Sequence, residues 1–367
     1  MYYNRAVRKK GVMGLSNYSY DDNNIKLGNK KQKKSNSGYS GYCSNNYEYS
    51  YNQNLCYMNS SIQCLSHLVE FYNWVLSRNL SSNEILMKAT KDLFLEMDND
   101  KYPEKSSVKK IKEEIGKLDE RFKTNEQQDA SEFISLFIGK LLEETQGTAD
   151  IKSLEEELKG LNELEKEGFS RLYKRFFLKK GKSYIVDLFY GILKVETRNI
   201  KDNELISVSF SMFNILELPI YYLVKNSNAN ILSLENIFFS FFKDKKYNED
   251  QKTYSINSIM KLPKYLLILF KRSVDEDYLD INIIYNKIIE MKNYLSLRKN
   301  MNIANSIYSL ENIIEHSGNA KFGHYTAICK ISEQNWYRFS DSYYTLNINQ
   351  YKSNDAMILI YKNSSIN

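Results

Sequence analysis

The spacing of apolar residues changes once along this 367-residue chain, and that change constrains the fold more than any other feature. Up to about residue 176, apolar residues recur at steps of three and four, as they do on one face of a helix. From about residue 183, short runs rich in β-branched and aromatic residues follow one another, which is typical of strands. A helical first half that leads into a largely antiparallel sheet predicts an α+β fold.

The same patterns predict the individual elements. Helices are expected to start at Cys56 and near Thr124, and to lie around Ser82–Glu96, Ser107–Leu118 and, as an amphipathic insertion, 151–175. Thr124 and Gln127 have the spacing of a capping box. Strands are expected at Ile185–Val195, Ser207–Leu216, Tyr265–Lys271, Ser306–Ile313, Tyr325–Ile331, Trp336–Phe339 and Ala356–Tyr361.

The net charge of the chain lies at its N-terminal end. Residues 1–50 contain nine Lys or Arg against three Asp or Glu, a balance of +6 that equals the net charge of the whole chain. A segment this polar cannot bury enough apolar surface to fold alone, so residues 1–46 are predicted to be a disordered basic tail. Such a tail could contact nucleic acid or act as a nuclear import signal, but we expect a solvated arm and no nucleic-acid partner.

Four cysteines, Cys43, Cys56, Cys64 and Cys329, are scattered without any CxxC spacing. This pattern argues against a disulfide framework and against a Cys-rich zinc site, and it favours a reducing compartment, cytoplasmic and/or nuclear. The start of the chain has no apolar signal segment, and the best apolar run, Tyr265–Phe270, has the length of a strand. We therefore expect an intracellular protein without a membrane segment.

One of these cysteines, Cys56, stands at the predicted start of the first helix, after a turn rich in Asn and Gln. The apolar residues that follow it at helical spacing are Met58, Ile62, Leu65 and Val69. A thiol in the first turn lies beside unsatisfied N–H groups and the positive end of the helix dipole, so we expect its pKa to fall below that of a free cysteine. The alternative is a small buried core residue, and this stretch alone leaves both open.

A cysteine nucleophile needs a general base, and the chain has three histidines. His67 follows Cys56 on the same predicted helix at roughly 16 Å, from ~1.5 Å rise per residue, which is too far for proton transfer. His316 and His324 bracket a loop, and His324 leads directly into a predicted strand. The ring also needs an orienting acceptor, which the turn 340–342 supplies if a hairpin returns it beside His324. Two surface histidines on a hairpin are the alternative.

Together with their surroundings, these residues resemble the ubiquitin-specific proteases, the papain-like cysteine peptidases that remove ubiquitin. Five motifs carry the resemblance, in the family's order, over roughly residues 50–361. They are Cys56-Tyr57-Met58-Asn59-Ser60-x-x-Gln63-x-Leu65, Gln127-Gln128-Asp129-Ala130-x-Glu132-Phe133, Leu262-Pro263-x-x-Leu266-x-Ile268-x-Phe270-Lys271-Arg272, His316-Ser317-Gly318 with Gly323-His324-Tyr325-Thr326-Ala327, and Trp336-Tyr337-x-Phe339-Ser340-Asp341-Ser342.

The resemblance implies a papain-like cysteine protease with a helical thumb, a β-rich palm and short β fingers. The thumb, with the Cys and QQD boxes, would span residues 47–176, and the palm, with the His box, residues 256–362. Residues 183–255 would form a fingers-like β segment. The family usually carries two CxxC zinc pairs there, whereas this segment contains no cysteine. We therefore expect no metal and no cofactor.

The resemblance also implies catalytic roles. Cys56 would attack the scissile carbonyl, His324 would be general base and then acid, and Asp341 or Ser340 would orient the imidazole. Asn52 would be the oxyanion donor, together with the backbone N–H of Cys56.

Two features of the catalytic motifs depart from the family. The stretch before Cys56 lacks the family's Gly and is one residue shorter, so Asn54 is the alternative oxyanion donor to Asn52. The family's third triad position holds Ser340. The resemblance favours Ser340 as the residue that contacts the ring, while electrostatics favours the Asp341 carboxylate. We expect Asp341→Ala to cost more activity than Ser340→Ala.

Four further residues match positions that hold the extended C-terminal tail of ubiquitin: Gln128, Asp129, His316 and Tyr325. That tail contains an arginine and ends in two glycines. The Asp129 carboxylate is the physical complement of the arginine, and an aromatic wall such as Tyr325 can form the narrow channel that two glycines need.

These observations predict a deubiquitinating cysteine protease that hydrolyses the isopeptide or peptide bond at the C-terminus of ubiquitin through a thioester intermediate. Its partners would be ubiquitin and ubiquitinated proteins, and we expect a monomer. Three alternatives stay open: a catalytically weak or inactive ubiquitin-binding module, a protease for a ubiquitin-like modifier, and an adaptor that docks through its basic arm. The last would show salt-sensitive nucleic-acid binding by the tail.

Overall fold

The computed structural model describes residues 54–98, 105–147, 151–180, 183–227, 230–274, 277–296, 306–319, 322–341, 343–348 and 351–364. The predicted basic tail, residues 1–46, lies outside the described residues. Among the described helices, none has both the length and the apolar character needed to cross a membrane.

Helices dominate the N-terminal half, as the apolar spacing predicts. The described helices of the whole chain are α1 (Cys56–Ser66), α2 (Val69–Ser77), α3 (Ile85–Asp98), α4 (Lys105–Leu118), α5 (Ala130–Glu144), α6 (Ile151–Leu158), α7 (Glu163–Arg175), α8 (Phe177–Lys180), α9 (Tyr184–Phe189), α10 (Tyr221–Ser227) and α11 (Leu234–Lys243). Two short 3₁₀ helices span Glu120–Lys123 and Lys292–Tyr294.

Strands dominate the second half. They are β1 (Gly191–Asn199), β2 (Leu205–Phe213), β3 (Leu216–Leu218), β4 (Ile231–Ser233), β5 (Lys246–Asn248), β6 (Thr253–Lys261), β7 (Tyr265–Phe270), β8 (Ser273–Val274), β9 (Asp277–Tyr278), β10 (Asn282–Ile284), β11 (Ile288–Glu290), β12 (Ile307–Gly318), β13 (Gly323–Lys330), β14 (Asn335–Ser340), β15 (Tyr343–Ile348) and β16 (Ala356–Asn363). The α+β prediction is confirmed.

The strands form one large sheet and one smaller sheet, with two short pairs beside them. The large sheet has the order β15-β14-β13-β12-β16-β7-β3, and β11 adds to β12. Its centre is antiparallel, and in the β12–β13 hairpin His316 lies opposite Tyr325 and Ser317 opposite His324. The smaller sheet has the order β2-β1-β6-β5.

Helix α1 lies inside the molecule, between the other helices and the large sheet. All of its residues are buried, and it packs on α5 on one side and on β12, β13 and β14 on the other. Its polar side chains therefore need partners within the protein. Cys64, for example, directs its thiol toward the carbonyl of Ile313 at 3.6 Å, and the Asn312 amide donates to the Cys64 carbonyl at 2.8 Å.

The smaller sheet is covered by α7, which forms the C-terminal half of the predicted amphipathic insertion, residues 151–175. Phe169 of α7 meets Phe210 of β2 edge to face, with ring centroids 5.7 Å apart. Gly168 approaches the Val208 carbonyl so closely that a Cβ atom would overlap it. At the same contact the buried Lys194 ammonium lies 2.6 Å from the Glu165 carboxylate.

The predicted strand Ile185–Val195 is wrong in its first half. Tyr184–Phe189 is the helix α9, capped by the Ser183 hydroxyl, and the strand β1 starts only at Gly191. Ile185, Val186, Leu188 and Phe189 are all buried. Short apolar runs that are buried on all sides have no periodicity that separates a helix from a strand.

Two predicted helix boundaries are also wrong. Helix α1 ends at Ser66, so His67 and Val69 do not extend it; His67 is its C-cap and Val69 begins α2. Thr124 and Gln127 do not form a capping box, because α5 starts at Ala130 and its N-cap is Asp129. The Asp129 carboxylate accepts hydrogen bonds from the backbone N–H groups of Ser131 and Glu132, and it binds these first-turn donors more directly than a side chain five residues earlier could.

Candidate active site

The packing of α1 against β13 brings the Cys56 thiol to the strand that carries His324. Leu55, the N-cap of α1, provides no side-chain acceptor, so the first-turn N–H groups stay available. The backbone N–H groups of Cys56, Tyr57 and Tyr325 all lie close enough to the sulfur to stabilise a thiolate. Since Tyr325 directly follows His324, the sulfur lies beside the strand one residue from the histidine.

The environment of Cys56 nevertheless raises its pKa above the ordinary value of a cysteine. Burial is the main cause, since the side chain is almost completely enclosed, and the Asp341 carboxylate adds to it. The three backbone N–H groups act in the opposite direction but do not outweigh burial. The expected lowering of this pKa by the helix start is therefore wrong: the resting thiol is protonated and needs a base.

His324 is held by Ser340, across the β13–β14 pair. Nε2 of His324 lies 2.8 Å from Oγ of Ser340, while Oδ2 of Asp341 is 4.0 Å from the same nitrogen. The direct contact that electrostatics assigned to Asp341 thus belongs to Ser340. With Nε2 engaged by the hydroxyl, Nδ1 is the ring nitrogen left for proton transfer.

Asp341 is turned away from the ring by its backbone. Strand β14 ends at Ser340, and Asp341 takes a left-handed conformation with φ 48°. Its Oδ1 accepts a hydrogen bond of 2.8 Å from Nδ2 of Asn59, on the buried surface of α1. Asp341 is therefore hydrogen-bonded to α1, the helix that carries Cys56, and its carboxylate still lies near the His324 ring.

His316, Tyr325 and Asp129 form one cluster beside this site. The rings of His316 and Tyr325 have centroids 4.4 Å apart, and the Tyr325 hydroxyl reaches the backbone N–H of Ala130 at the start of α5. Burial lowers the pKa of His316, although the carboxylates of Asp129 and Asp355 oppose this. The cluster therefore presents a neutral imidazole and a carboxylate in a narrow, aromatic setting.

The other predicted site residues, Gln128, Asn52 and Asn54, are not part of this cluster in the described structure. Gln128 is half-buried, and its Nε2 donates to the Arg121 carbonyl at 3.0 Å. Asn52 lies outside the described residues. The alternative oxyanion donor, Asn54, is exposed and donates to the Asn125 carbonyl at 3.1 Å. Across the part of the chain that the structure describes, no group of three His, Cys, Asp or Glu side chains could hold a metal ion.

With this geometry in place, comparison with known proteins is decisive. Residues 50–361 match the family model for ubiquitin carboxyl-terminal hydrolase, a span that contains Cys56, His324 and all five motifs. The chain belongs to the ubiquitin carboxyl-terminal hydrolase family.

Relatives of this chain include ubiquitin carboxyl-terminal hydrolase 2 from two mammals. The protein from Homo sapiens is 29% identical over 344 residues, which cover 85% of this chain and 54% of the relative. The protein from Rattus norvegicus is 28% identical over 339 residues, which cover 85% and 53%. The chain thus spans about half the length of these relatives.

Solved structures agree on the fold. The SAGA DUB module of Ubp8, Sgf11, Sus1 and Sgf73 bound to monoubiquitin matches with a TM-score of 0.63 at 22% identity, over 86% of this chain and 68% of that one. The same module bound to ubiquitin aldehyde matches with a TM-score of 0.61 at 21% identity, over 86% and 69%. The fold of this chain is therefore the fold shared by these two structures.

Sequence reasoning missed two polar residues of the site, Asn59 and Gln127. Both were visible inside the motifs, but neither had an assigned role. Their partners, Asp341 and Gly323, are 282 and 196 residues away in the chain. Only a signal that links distant positions could have identified these contacts.

Proposed function

We propose that this chain is a deubiquitinating cysteine protease that cleaves the isopeptide or peptide bond after the C-terminal glycine of ubiquitin. One observation carries the proposal: His324 on β13 contacts Ser340 on β14, and Tyr325, the residue after His324, directs its backbone N–H to the Cys56 sulfur. Family membership supports the same reaction.

The reaction begins with a protonated thiol. Nδ1 of His324 takes the proton from Cys56 as the sulfur attacks the scissile carbonyl, and the carbonyl oxygen becomes an oxyanion. The backbone N–H of Cys56 lies in the first turn of α1, where the N-cap side chain accepts no hydrogen bond, and it would donate to this oxyanion. The imidazolium then gives its proton to the departing amine, which leaves the ubiquitin acyl group on sulfur as a thioester.

Hydrolysis of the thioester uses His324 again, first as base and then as acid. His324 removes a proton from water, the resulting hydroxide adds to the thioester carbonyl, and the thiolate leaves and regains its proton. Through both halves the Ser340 hydroxyl keeps the ring in one orientation. The Asp341 carboxylate lies 4.0 Å from Nε2, so a negative charge stands beside the ring throughout the reaction.

The cluster of His316, Tyr325 and Asp129 supports ubiquitin as the substrate. Its carboxylate suits the arginine of the ubiquitin tail, and its two adjacent rings suit the passage of two glycines, which have no side chains. We further propose that the protein acts as a monomer on ubiquitin conjugates in the cytoplasm and/or nucleus. The scarcity of cysteines supports a reducing compartment.

A ubiquitin probe with a C-terminal electrophile tests this function. Wild type should form a covalent adduct, Cys56→Ala should form none, and Cys64→Ala should react like wild type because that thiol is buried against Ile313. Binding of ubiquitin without any adduct would favour the inactive binding module. Adducts only with probes made from ubiquitin-like modifiers would change the substrate, and labelling that survives Cys56→Ala would refute the assigned nucleophile.

A further inference from the structure

Gln127 makes a two-point contact with the strand that carries the general base. Its Nε2 donates to the Gly323 carbonyl at 2.9 Å, and its Oε1 accepts from the Gly323 N–H at 2.9 Å. The two bonds determine the orientation of the amide, because the flipped amide would place donor against donor and acceptor against acceptor. Gln127 thus pairs with Gly323 as a neighbouring strand would.

This contact replaces a missing strand partner. Among the described residues, β14 pairs with β13 only from Ala327 onward, so the first residues of β13 have β12 on one edge only. Alternate residues of a strand direct their peptide groups to the same edge. Gly323 and Tyr325 both use the open edge: Gly323 contacts Gln127, and the Tyr325 N–H faces Cys56. His324 lies between these two attachments.

Gln127 joins the helical part of the molecule to the large sheet. Gln127 lies just before α5, and α5 packs on α1, which carries Cys56. His324 belongs to the sheet. The distance between thiol and imidazole therefore depends on how the helical layer is placed against the start of β13, and Gln127 joins these two parts directly.

We propose that Gln127 is a positioning residue that holds the peptide group between Gly323 and His324, and thereby aligns His324 with Cys56. The inference deepens the proposed function and rests on it. Gln127 itself contacts neither the thiol nor the ring, so its effect is expected on the rate of the chemical step. Misplacement of a catalytic group by about 1 Å can cost on the order of 100-fold in rate.

Gln127→Met tests the inference, because methionine has the same length but no amide. With a ubiquitin–fluorophore substrate, we expect kcat to fall at least about tenfold with KM within about twofold of wild type. Gln128→Met is the matched comparison: the neighbouring amide donates to the Arg121 carbonyl rather than to β13, and Gln128 is a predicted ubiquitin-tail residue, so this change should raise KM and change kcat little. An unchanged kcat, or a rise of KM alone, in Gln127→Met would overturn the inference.

A second measurement does not need ubiquitin. Alkylation of the Cys56 peptide by iodoacetamide, followed by mass spectrometry, reports how well His324 activates the thiol. Gln127→Met should slow it toward the rate of His324→Ala, and an unchanged rate would refute the positioning role even if ubiquitin were not the substrate. Failure of the proposed function, in contrast, would show in wild type as absence of turnover and of adduct.

If Gln127→Met does not fold, Gln127→Asn keeps the amide but is too short for both bonds, and the same outcomes apply.

Discussion

The two main helix–strand contacts of this molecule are built from different interactions. Where α1 meets the large sheet, the contact includes directional polar pairs: the Cys56 sulfur with the Tyr325 N–H, and Asn59 with Asp341. Where α7 meets the smaller sheet, the edge-to-face pair of Phe169 and Phe210 packs beside one buried ion pair, Lys194 with Glu165. The first contact aligns reactive groups, and the second buries apolar surface.

This difference predicts how each contact responds to change. Hydrogen bonds weaken steeply with distance and angle, so a small shift of α1 against β13 would disturb proton transfer before it unfolds the protein. Apolar burial is non-directional, so changes under α7 should lower stability and leave the chemistry intact. The following predictions test this separation, from the largest expected effect on activity to the smallest.

Loss of the base should have the largest effect. His324→Ala should lower kcat by several orders of magnitude, because no group is left to take the Cys56 proton. His316→Ala should mainly raise KM, since that ring lies in the proposed tail site. Steady-state kinetics on a ubiquitin–fluorophore substrate separates the two, and the reversed pattern would show that their roles are exchanged.

The two residues at the end of β14 should differ in their effects. Asp341→Ala removes the charge beside Nε2 and leaves the buried Asn59 amide without this partner, whereas Ser340→Ala removes one neutral hydrogen bond. We therefore expect the larger fall of kcat in Asp341→Ala. Near wild-type kcat in Asp341→Ala, with a large loss in Ser340→Ala, would establish a Cys–His–Ser triad and refute this ordering.

The charge of Asp341 should also be visible in the titration of Cys56. Because the carboxylate disfavours the thiolate and so raises the pKa of Cys56, Asp341→Asn should lower that pKa. The rate of iodoacetamide alkylation would then rise at a lower pH than in wild type, with Cys56→Ala as the blank. A midpoint that moves to higher pH would mean that Asp341 acts on the thiol mainly through His324.

The contact under α7 should affect stability alone. Phe169→Ala removes a fully buried ring and should lower the free energy of unfolding by about 3 kcal/mol. Urea unfolding measures this loss, and kcat of the folded variant should equal that of wild type. A large fall of kcat at a temperature where the variant is folded would show that the smaller sheet is coupled to the active site.

Local sequence patterns were enough to predict the α+β class and the main helices and strands, and the motifs identified the candidate site residues. These features are local. Helical and strand spacing indicate which face of an element is buried, and the motif at residues 316–327 contains both His324 and the start of the strand that carries it. Where an element is buried on all sides, as Tyr184–Phe189 is, this local signal disappears and the prediction failed.

Only the tertiary structure decided how the parts of the site meet. It showed that Ser340 rather than Asp341 bonds His324, that burial reverses the expected shift of the Cys56 pKa, and that Gln127 holds Gly323. Each of these depends on distances between residues far apart in the chain, or on the loss of water around a group. Neither quantity is present in local spacing, because both arise when the helices pack on the sheet.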